Sequence, residues 1–187
     1  MSKKAFLIAL VCITFGMQAV FAQETFTWHL AVVKDGQGMP FEKSVAIKDG
    51  EVFSVEINSE KNCYVYLVIE QASGSMTALL SQPLRSGDPV KISLKLSPPS
   101  GQEKFHVVTS LREQKNLQTA IDNFKKEKTS QTTQALKTRL FAISSGGENR
   151  PGIVGVSFAG SVRGGETTLG TEYSGADVYS KTIVINH

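Results

Sequence analysis

Three histidines are the residues of this chain best suited to metal binding or acid–base chemistry, and their spacing argues against metal binding. His29, His106 and His187 are far apart in the sequence, and none stands at metal-ligand spacing from a cysteine or another histidine. The spacing therefore predicts no metal site and no cofactor. We interpret the three as ordinary surface or edge histidines.

Cys63 could act as a nucleophile paired with His106. A reactive thiolate needs positively charged surroundings, whereas the residues that follow Cys63 form the apolar run Tyr64-Val65-Tyr66-Leu67-Val68-Ile69. Apolar surroundings favour the neutral thiol. We therefore expect a buried structural cysteine.

Two glycine-containing segments carry part of a phosphate-binding or hydrolase motif. Gly152-Ile153-Val154-Gly155 is not followed by Lys and Ser or Thr, so the residues that bind phosphate and magnesium in a phosphate loop are missing. Ser144-Ser145-Gly146-Gly147 lacks the glycine arrangement that flanks a hydrolase nucleophile. The sequence therefore predicts no catalytic and no cofactor-binding residue.

Carboxylates and aromatic residues leave two binding interpretations open. Four carboxylates stand near turns, where Asp has a local conformational role, and they would bind calcium only if their loops converge. They are Asp49, Glu51, Asp88 and Asp177. Trp28 and Tyr173 could form part of a sugar-stacking surface, but Trp28 shares a strand face with Phe26 and Leu30, which favours core packing.

The start of the chain has the three parts of a secretory signal. Lys3 and Lys4 precede an apolar run, which ends on the peptidase-type sequence Val20-Phe21-Ala22. We expect residues 1–22 to be a signal peptide that is cleaved between Ala22 and Gln23. The apolar run is short of the ~20 residues that span a bilayer, which argues against a retained membrane anchor. No stretch of residues 23–187 approaches that length either, so we expect no transmembrane segment after cleavage.

Removal of the signal changes the charge and the cysteine content of the product. The formal charge falls from +3 to +1, and Lys125-Lys126-Glu127-Lys128 is typical of a solvated helix end, so we expect no nucleic-acid partner. Cys12 leaves with the signal, and we do not expect it to be lipidated because the branched Val11 precedes it. Cys63 alone cannot form an internal disulfide. We place the product in the periplasm, at the cell surface or in the medium.

The region from residue 23 to residue 111 shows the two-residue period of β-strands. Phe26, Trp28, Leu30 and Val32 share one side of the first strand. The wholly apolar run at 62–69 predicts a central strand that is covered on both faces. Asp49-Gly50 between two β-type runs predicts a hairpin. The expected strands cover residues 23–33, 44–47, 52–57, 62–69, 76–80, 90–96 and 104–111.

The period then changes to that of helices. Leu117, Ile121 and Phe124 lie at helical spacing in residues 112–128, and a second helix is expected over 131–143. Residues 144–152 predict a loop, and residues 153–187 predict returning strands at 153–162 and 179–185, divided by a glycine-rich stretch at 164–175. The fold class is therefore mainly β, an immunoglobulin-like β-sandwich with an inserted α-helical hairpin near residues 112–143. The hairpin either covers the core or forms a docking surface.

Turn and core segments between residues 41 and 111 match a known pattern. They are Lys48-Asp49-Gly50-Glu51, Asn62-Cys63-Tyr64-Val65-Tyr66-Leu67-Val68, Ser73-Gly74, Leu84-Arg85-Ser86-Gly87 and Pro99-Ser100-Gly101-Gln102-Glu103-Lys104-Phe105. On these segments the chain resembles the bacterial domain-of-unknown-function 4384 family. The resemblance implies an accessory β module behind a signal peptide, and it supplies no catalytic residues. The chain has Leu79-Leu80-Ser81 where the family commonly has a Leu-Phe-Pro type sequence.

These observations favour a non-catalytic function. We expect an exported binding or cell-envelope-associated accessory module whose partner is an envelope protein or a glycan. Two alternatives stay open: a hydrolase-like enzyme whose site is assembled from loops around His29, His106 or the Asp-bearing turns, and a structural subunit of a surface assembly. A convergent cluster of those side chains would favour the enzyme.

Overall fold

A computed structural model describes residues 26–145, 157–159, 169–175 and 177–187 of the chain. It contains eleven strands and two helices within these ranges. The strands are β1 (Phe26–Lys34), β2 (Gln37–Met39), β3 (Val45–Ala46), β4 (Val52–Ser59), β5 (Cys63–Glu70), β6 (Met76–Leu84), β7 (Val90–Lys95), β8 (Gln102–Ser110), β9 (Ser157–Ala159), β10 (Leu169–Gly175) and β11 (Val178–Asn186). The helices are α1 (Lys115–Lys126) and α2 (Ser130–Ser145).

The strands form two sheets. The first sheet has the order β7-β4-β1-β10-β9, with β2 paired to part of β1. The second sheet has the order β3-β11-β8-β5-β6. All pairs are antiparallel except the short parallel pair between β3 and β11. The prediction of a mainly β sandwich with a helical insertion is confirmed.

One hydrophobic core lies between the two sheets. It is built from the inward side chains that the alternating pattern predicts, because every second residue of a strand points to the same face. Trp28 of β1 and Tyr179 of β11 meet edge to face with their ring centroids 5.2 Å apart. Phe53 of β4 and Phe105 of β8 do the same at 5.9 Å. These aromatic pairs join the first sheet to the second.

Strand β5 is buried on both faces. Val65 and Leu67 belong to the core between the sheets, while Tyr66 and Val68 belong to a second cluster that also contains helix residues. All four have no exposed surface. The prediction of a doubly covered strand in this segment is therefore confirmed, and the second sheet is the middle layer of three.

The helical hairpin forms the third layer. Leu117, Ile121 and Phe124 of α1 are buried against the second sheet, as their spacing predicts. Leu136 and Leu140 of α2 are buried in the same cluster. The hairpin thus covers the outer face of the second sheet, which confirms the first of the two interpretations of these helices.

Hydrogen bonds fix where the helices begin. The Gln114 amide, just before α1, donates to the hydroxyl of the fully buried Tyr66 at 3.0 Å. Thr129, just before α2, accepts a hydrogen bond from the Thr132 amide at 3.2 Å, which satisfies one free N–H of the first turn. Thr129 therefore caps the N-terminus of α2.

The predicted hairpin at Asp49-Gly50 is wrong. The preceding strand β3 belongs to the second sheet and the following strand β4 to the first, so the chain crosses between sheets here. A tight two-residue hairpin of this type needs positive φ at both central residues, and Gly50 meets the condition (φ 82°) whereas Asp49 does not. Asp35 (φ 51°) and Gly36 (φ 76°) meet it instead, and they join β1 to β2.

The glycine-rich stretch at 164–175 contains a strand that the sequence did not predict. Residues Leu169–Gly175 form β10, which pairs with β1 over five residues and with β9. Glycine content suggested a break, but backbone pairing with an ordered neighbour decides strand formation here. Several sequence expectations lie outside the described residues: the signal peptide and its cleavage site, the greater part of the loop at 144–152, and most of the strand at 153–162.

In the described part of the chain, neither helix combines the length and the apolar character that crossing a membrane requires.

We predict that the third layer contributes directly to stability. Leu136→Ala should lower the free energy of unfolding by about 2–5 kcal/mol, because it removes a fully buried side chain from the hairpin cluster. Gln134→Ala, at an exposed position of the same helix, is the matched control and should change stability by no more than about 0.5 kcal/mol. Urea unfolding of both variants measures the difference, and equal stability of the two would contradict the packing described above.

Candidate functional site

In the described part of the chain, charged side chains converge around a histidine where the hairpin stops covering the second sheet. It surrounds a cavity of about 350 Å³ between the C-terminal half of α2 and the sheet, which we call the Glu70 cavity. Its lining residues are Glu70, Met76, Lys104, His106, Lys137, Leu140, Phe141, Ser144 and Thr182. A more open cavity of about 440 Å³ adjoins it and shares Glu70 and Lys104.

Strand register brings the polar side chains of the cavity together. Glu70 of β5 stands opposite Lys104 of β8, and Thr182 of β11 stands opposite His106 of β8. Residues two apart on one strand share a face, so Lys104 and His106 both point to the side that α2 covers. Lys137 reaches this set from the helix. Four elements therefore contribute one polar cluster.

Glu70 is the centre of the ion pairs. Its Oε1 accepts a hydrogen bond from Lys137 Nζ at 2.7 Å. Its Oε2 lies 3.6 Å from His106 Nε2 and 4.0 Å from Lys104 Nζ. One partly buried carboxylate is thus surrounded by two ammonium groups and an imidazole.

His106 also contacts a hydroxyl. Its Nδ1 lies 3.2 Å from Thr182 Oγ1, and the tautomer of the ring decides which atom donates. The imidazole therefore stands between a hydroxyl on one side and the Glu70 carboxylate on the other. This arrangement contains the three chemical groups of a nucleophile, a base and an orienting acid.

Burial and charge set the protonation states in the cavity. Burial alone would raise the pKa of Glu70, but the hydrogen bond from Lys137 and the charges of Lys137 and Lys104 outweigh it, so the pKa is lowered. Burial lowers the pKa of His106 below its ordinary 6.5, and the Glu70 charge offsets only part of this effect. At neutral pH, Glu70 is therefore ionised and His106 is mostly neutral.

An apolar wall faces the charged side of the cavity. Met76 and Leu140 are buried there, whereas the Phe141 side chain next to them is 70% exposed. A large apolar side chain with this exposure is unusual in the described part of the chain, where only Val52 is comparable. The cavity therefore offers ammonium groups and an accessible aromatic ring to the same ligand.

A second histidine cluster closes one end of the sandwich. His187 has a fully buried side chain, and its Nδ1 lies 2.6 Å from Asp49 Oδ1. Its Nε2 lies 3.5 Å from Glu103 Oε1. Ser100 donates to the other Asp49 oxygen at 2.7 Å, and these contacts lower the pKa of Asp49, with the His187 hydrogen bond as the largest cause. Since the imidazole is enclosed, we interpret this cluster as a structural tie between β11 and the crossing at Asp49.

The histidines that the sequence singled out lie in three different environments. His29 is on β1 in the first sheet, His106 is in the Glu70 cavity, and His187 is at the end of the sandwich. Cys63 is buried in the core between the sheets, where burial raises its pKa. It therefore lies on the opposite face of the second sheet from His106, and the two cannot act as a pair.

The remaining candidates do not converge on a site. Asp49 binds His187, Glu51 binds Lys34 Nζ at 2.6 Å, and Asp88 is exposed in another turn. Trp28 is fully buried, as core packing predicts, and the Tyr173 side chain is outside the described part of the chain. Within the described ranges, no group of three histidine, cysteine or carboxylate side chains is placed to hold a metal ion.

Sequence reasoning missed Glu70, Lys104, Lys137 and Phe141. The hydrophobic pattern describes which face of a strand is buried, but it does not show where a helix that follows in the sequence ceases to cover that face. One partial signal was available: Lys104 and His106 are polar residues on the face of β8 whose next member, Val108, is apolar and buried. A switch from buried to polar along one strand face indicates the edge of a covering layer.

No family model matches the chain, and no curated protein or solved structure shows a detectable similarity to it. The resemblance of residues 41–111 to the domain-of-unknown-function family therefore stays a prediction from the sequence.

We predict that Glu70 raises the pKa of His106 through its charge. In Glu70→Gln the attraction that stabilises the imidazolium is lost, so the pKa of His106 should fall further below 6.5. An NMR titration of the imidazole protons measures the change. Glu60→Gln removes an exposed carboxylate that does not line the cavity and should leave the titration of His106 unchanged. An unchanged or raised pKa in Glu70→Gln would contradict the cluster geometry.

Proposed function

We propose that this chain is an exported, non-catalytic binding module of the cell envelope and that the Glu70 cavity is where its partner, an envelope protein or a glycan, is bound. The observation that carries the proposal is the cavity itself. It joins an exposed aromatic ring to ammonium groups on a frame of one sheet and a helix, and such mixed lining is typical of binding sites.

Two features of the sequence support the cellular part of the proposal. The three-part pattern of residues 1–22 is typical of a secretory signal, and the resemblance of residues 41–111 is to accessory β modules that occur behind such signals. The signal pattern and the resemblance support an exported accessory module. The choice of binding over catalysis depends on the cavity.

The hydroxyl, imidazole and carboxylate in the cavity favour a second candidate, a hydrolase-like enzyme. Three observations count against it. Thr182 lies within a continuous strand ladder, whereas an activated hydroxyl is usually placed on an exposed turn. Glu70 is engaged by Lys137 at 2.7 Å and is 3.6 Å from the imidazole. Pairing with β8 also engages the backbone amides on one side of β11 around Thr182, and these amides cannot then stabilise an oxyanion.

A pull-down from the envelope fraction of the native cells, followed by mass spectrometry or glycan analysis, tests the proposal. The partner should be retained by the wild type and by Lys115→Gln, which removes one exposed lysine at the start of α1. The double variant Lys137→Gln, Phe141→Ala should lose it, because both sides of the cavity are altered.

Equal retention by all three proteins would place the binding surface elsewhere and contradict the assignment to the Glu70 cavity. Hydrolysis of an envelope component by the wild type that disappears in Thr182→Ala, with unfolding stability unchanged, would contradict the non-catalytic part and favour the enzyme.

A further inference from the structure

The Glu70 cavity has more positive charge than its own carboxylate can compensate. Its lining contains two lysines, one carboxylate and a histidine that is mostly neutral at neutral pH. Each ammonium group has three N–H donors, whereas Glu70 has only two oxygens to share among Lys137, Lys104 and His106. Donors are therefore in excess, and an additional anionic acceptor would satisfy them.

Lys104 is the cation with the most freedom to meet a ligand. Its Nζ lies 4.0 Å from Glu70, beyond hydrogen-bond distance, and its side chain is 45% exposed. Lys137 is held at 2.7 Å and is 31% exposed. A carboxylate that enters from solvent can therefore contact Lys104 without breaking the Lys137 pair, and then share Lys137 with Glu70.

The apolar wall of the cavity, which faces the lysines, determines what kind of body the ligand can have. Met76, Leu140 and Phe141 form an apolar surface that begins beside the cations, and the Phe141 ring is mostly in contact with water. A ligand body that covers this ring removes apolar area from water on both partners. The volume of about 350 Å³ lies at the lower end of the roughly 300–1,000 Å³ that small-molecule sites occupy.

We propose that the Glu70 cavity binds an organic carboxylate with a compact apolar body, with its carboxylate between Lys104 and Lys137 and its body on Met76, Leu140 and Phe141. The inference rests on the proposed binding function and names the ligand chemistry of the same cavity. The carboxylate can belong to a free acid or to the acidic group of a larger partner.

Glu70 is the internal anion with which the ligand competes for the two lysines. In the absence of ligand it holds Lys137 and keeps the buried charges paired. Replacing it with the neutral isostere glutamine should therefore strengthen binding of an anion. Binding of a cationic ligand would instead become weaker in this variant, because the carboxylate that attracts the ligand is removed.

Acidification should strengthen binding of the carboxylate as well. The groups that face His106 are Glu70, Lys104, Lys137 and Thr182, and the first of these stays ionised because its pKa is lowered. Protonation of His106, which takes place below pH 6.5 because the pKa of the imidazole is lowered, adds one positive charge to the cavity. The affinity should rise as the pH falls through the pKa of His106, until the ligand carboxylate itself is protonated.

NMR titration of the purified protein with hydrocinnamate tests the proposal. Saturable shifts should be found at Lys104, His106 and Phe141. Hydrocinnamyl alcohol, which has the same body without the charge, and acetate, which has the charge without the body, should each bind at least about tenfold more weakly, the size of one charge-assisted hydrogen bond or one well-packed apolar group. Glucuronate, which has the charge on a polar body, should also bind more weakly than hydrocinnamate.

Matched variants locate the interaction. Lys104→Gln and Lys137→Gln should each weaken hydrocinnamate binding about tenfold, while Glu70→Gln should strengthen it severalfold. Phe141→Ala should weaken binding of hydrocinnamate and leave that of acetate unchanged. Lys115→Gln makes the same charge change outside the cavity and is the control for a general effect of net charge.

Three results would overturn the proposal: equal binding of hydrocinnamate and its alcohol, weaker binding in Glu70→Gln, or glucuronate binding as tightly as hydrocinnamate. The last would favour an acidic glycan. If hydrocinnamate fails to bind while the envelope partner is still lost in the Lys137→Gln, Phe141→Ala variant, the ligand chemistry is wrong and the binding function stands. If the partner is retained by that variant, the function itself fails at this site.

Discussion

Val65 and Leu67 are fully buried against the first sheet, and Tyr66 and Val68, on the other face of the same strand, are fully buried beneath the helical hairpin. This burial of the second sheet on both faces is the constraint on which the remaining features depend. It requires the two helices to stay on the sheet, because their removal would expose a continuous apolar surface. It also leaves Cys63 enclosed and chemically quiet, since burial raises its pKa.

The same constraint explains where the charged cavity lies. The apolar face of the second sheet ends before the strands do, and Glu70, Lys104 and His106 occupy the strand positions beyond it. Helix α2 borders these positions at the edge of the covered face and adds Lys137 to the cluster. Charges in this place are partly removed from water and must be paired, which accounts for the ion pairs around Glu70. The frame is thus rigid and apolar where it packs, and polar where it opens to solvent.

Most strand and helix positions followed from the sequence, because periodicity reports which side of an element is buried, whereas β2 and β10 were not predicted. Periodicity predicted the inward set of β1, the double burial of β5 and the apolar stripe of α1. It failed at Asp49-Gly50, where the same dipeptide that makes a hairpin at Asp35-Gly36 carries the chain from one sheet to the other. Local turn chemistry does not encode which sheet the next strand joins. The cavity was missed for a related reason: contacts between Lys137 and Glu70 span 67 residues, a separation that no local pattern reports.

The hairpin stays packed on the second sheet in the native protein, so the Glu70 cavity is preformed. Native-state hydrogen exchange tests it most directly. The amides of Ile121 and Leu136, at the centres of the two helices, should exchange only through global unfolding and show the same free energy of opening as Val107 in β8. Opening of the helix amides at a free energy several kcal/mol below that of β8 would show that the hairpin detaches from a folded sandwich. The cavity would then be a transient feature, and the claim would be contradicted.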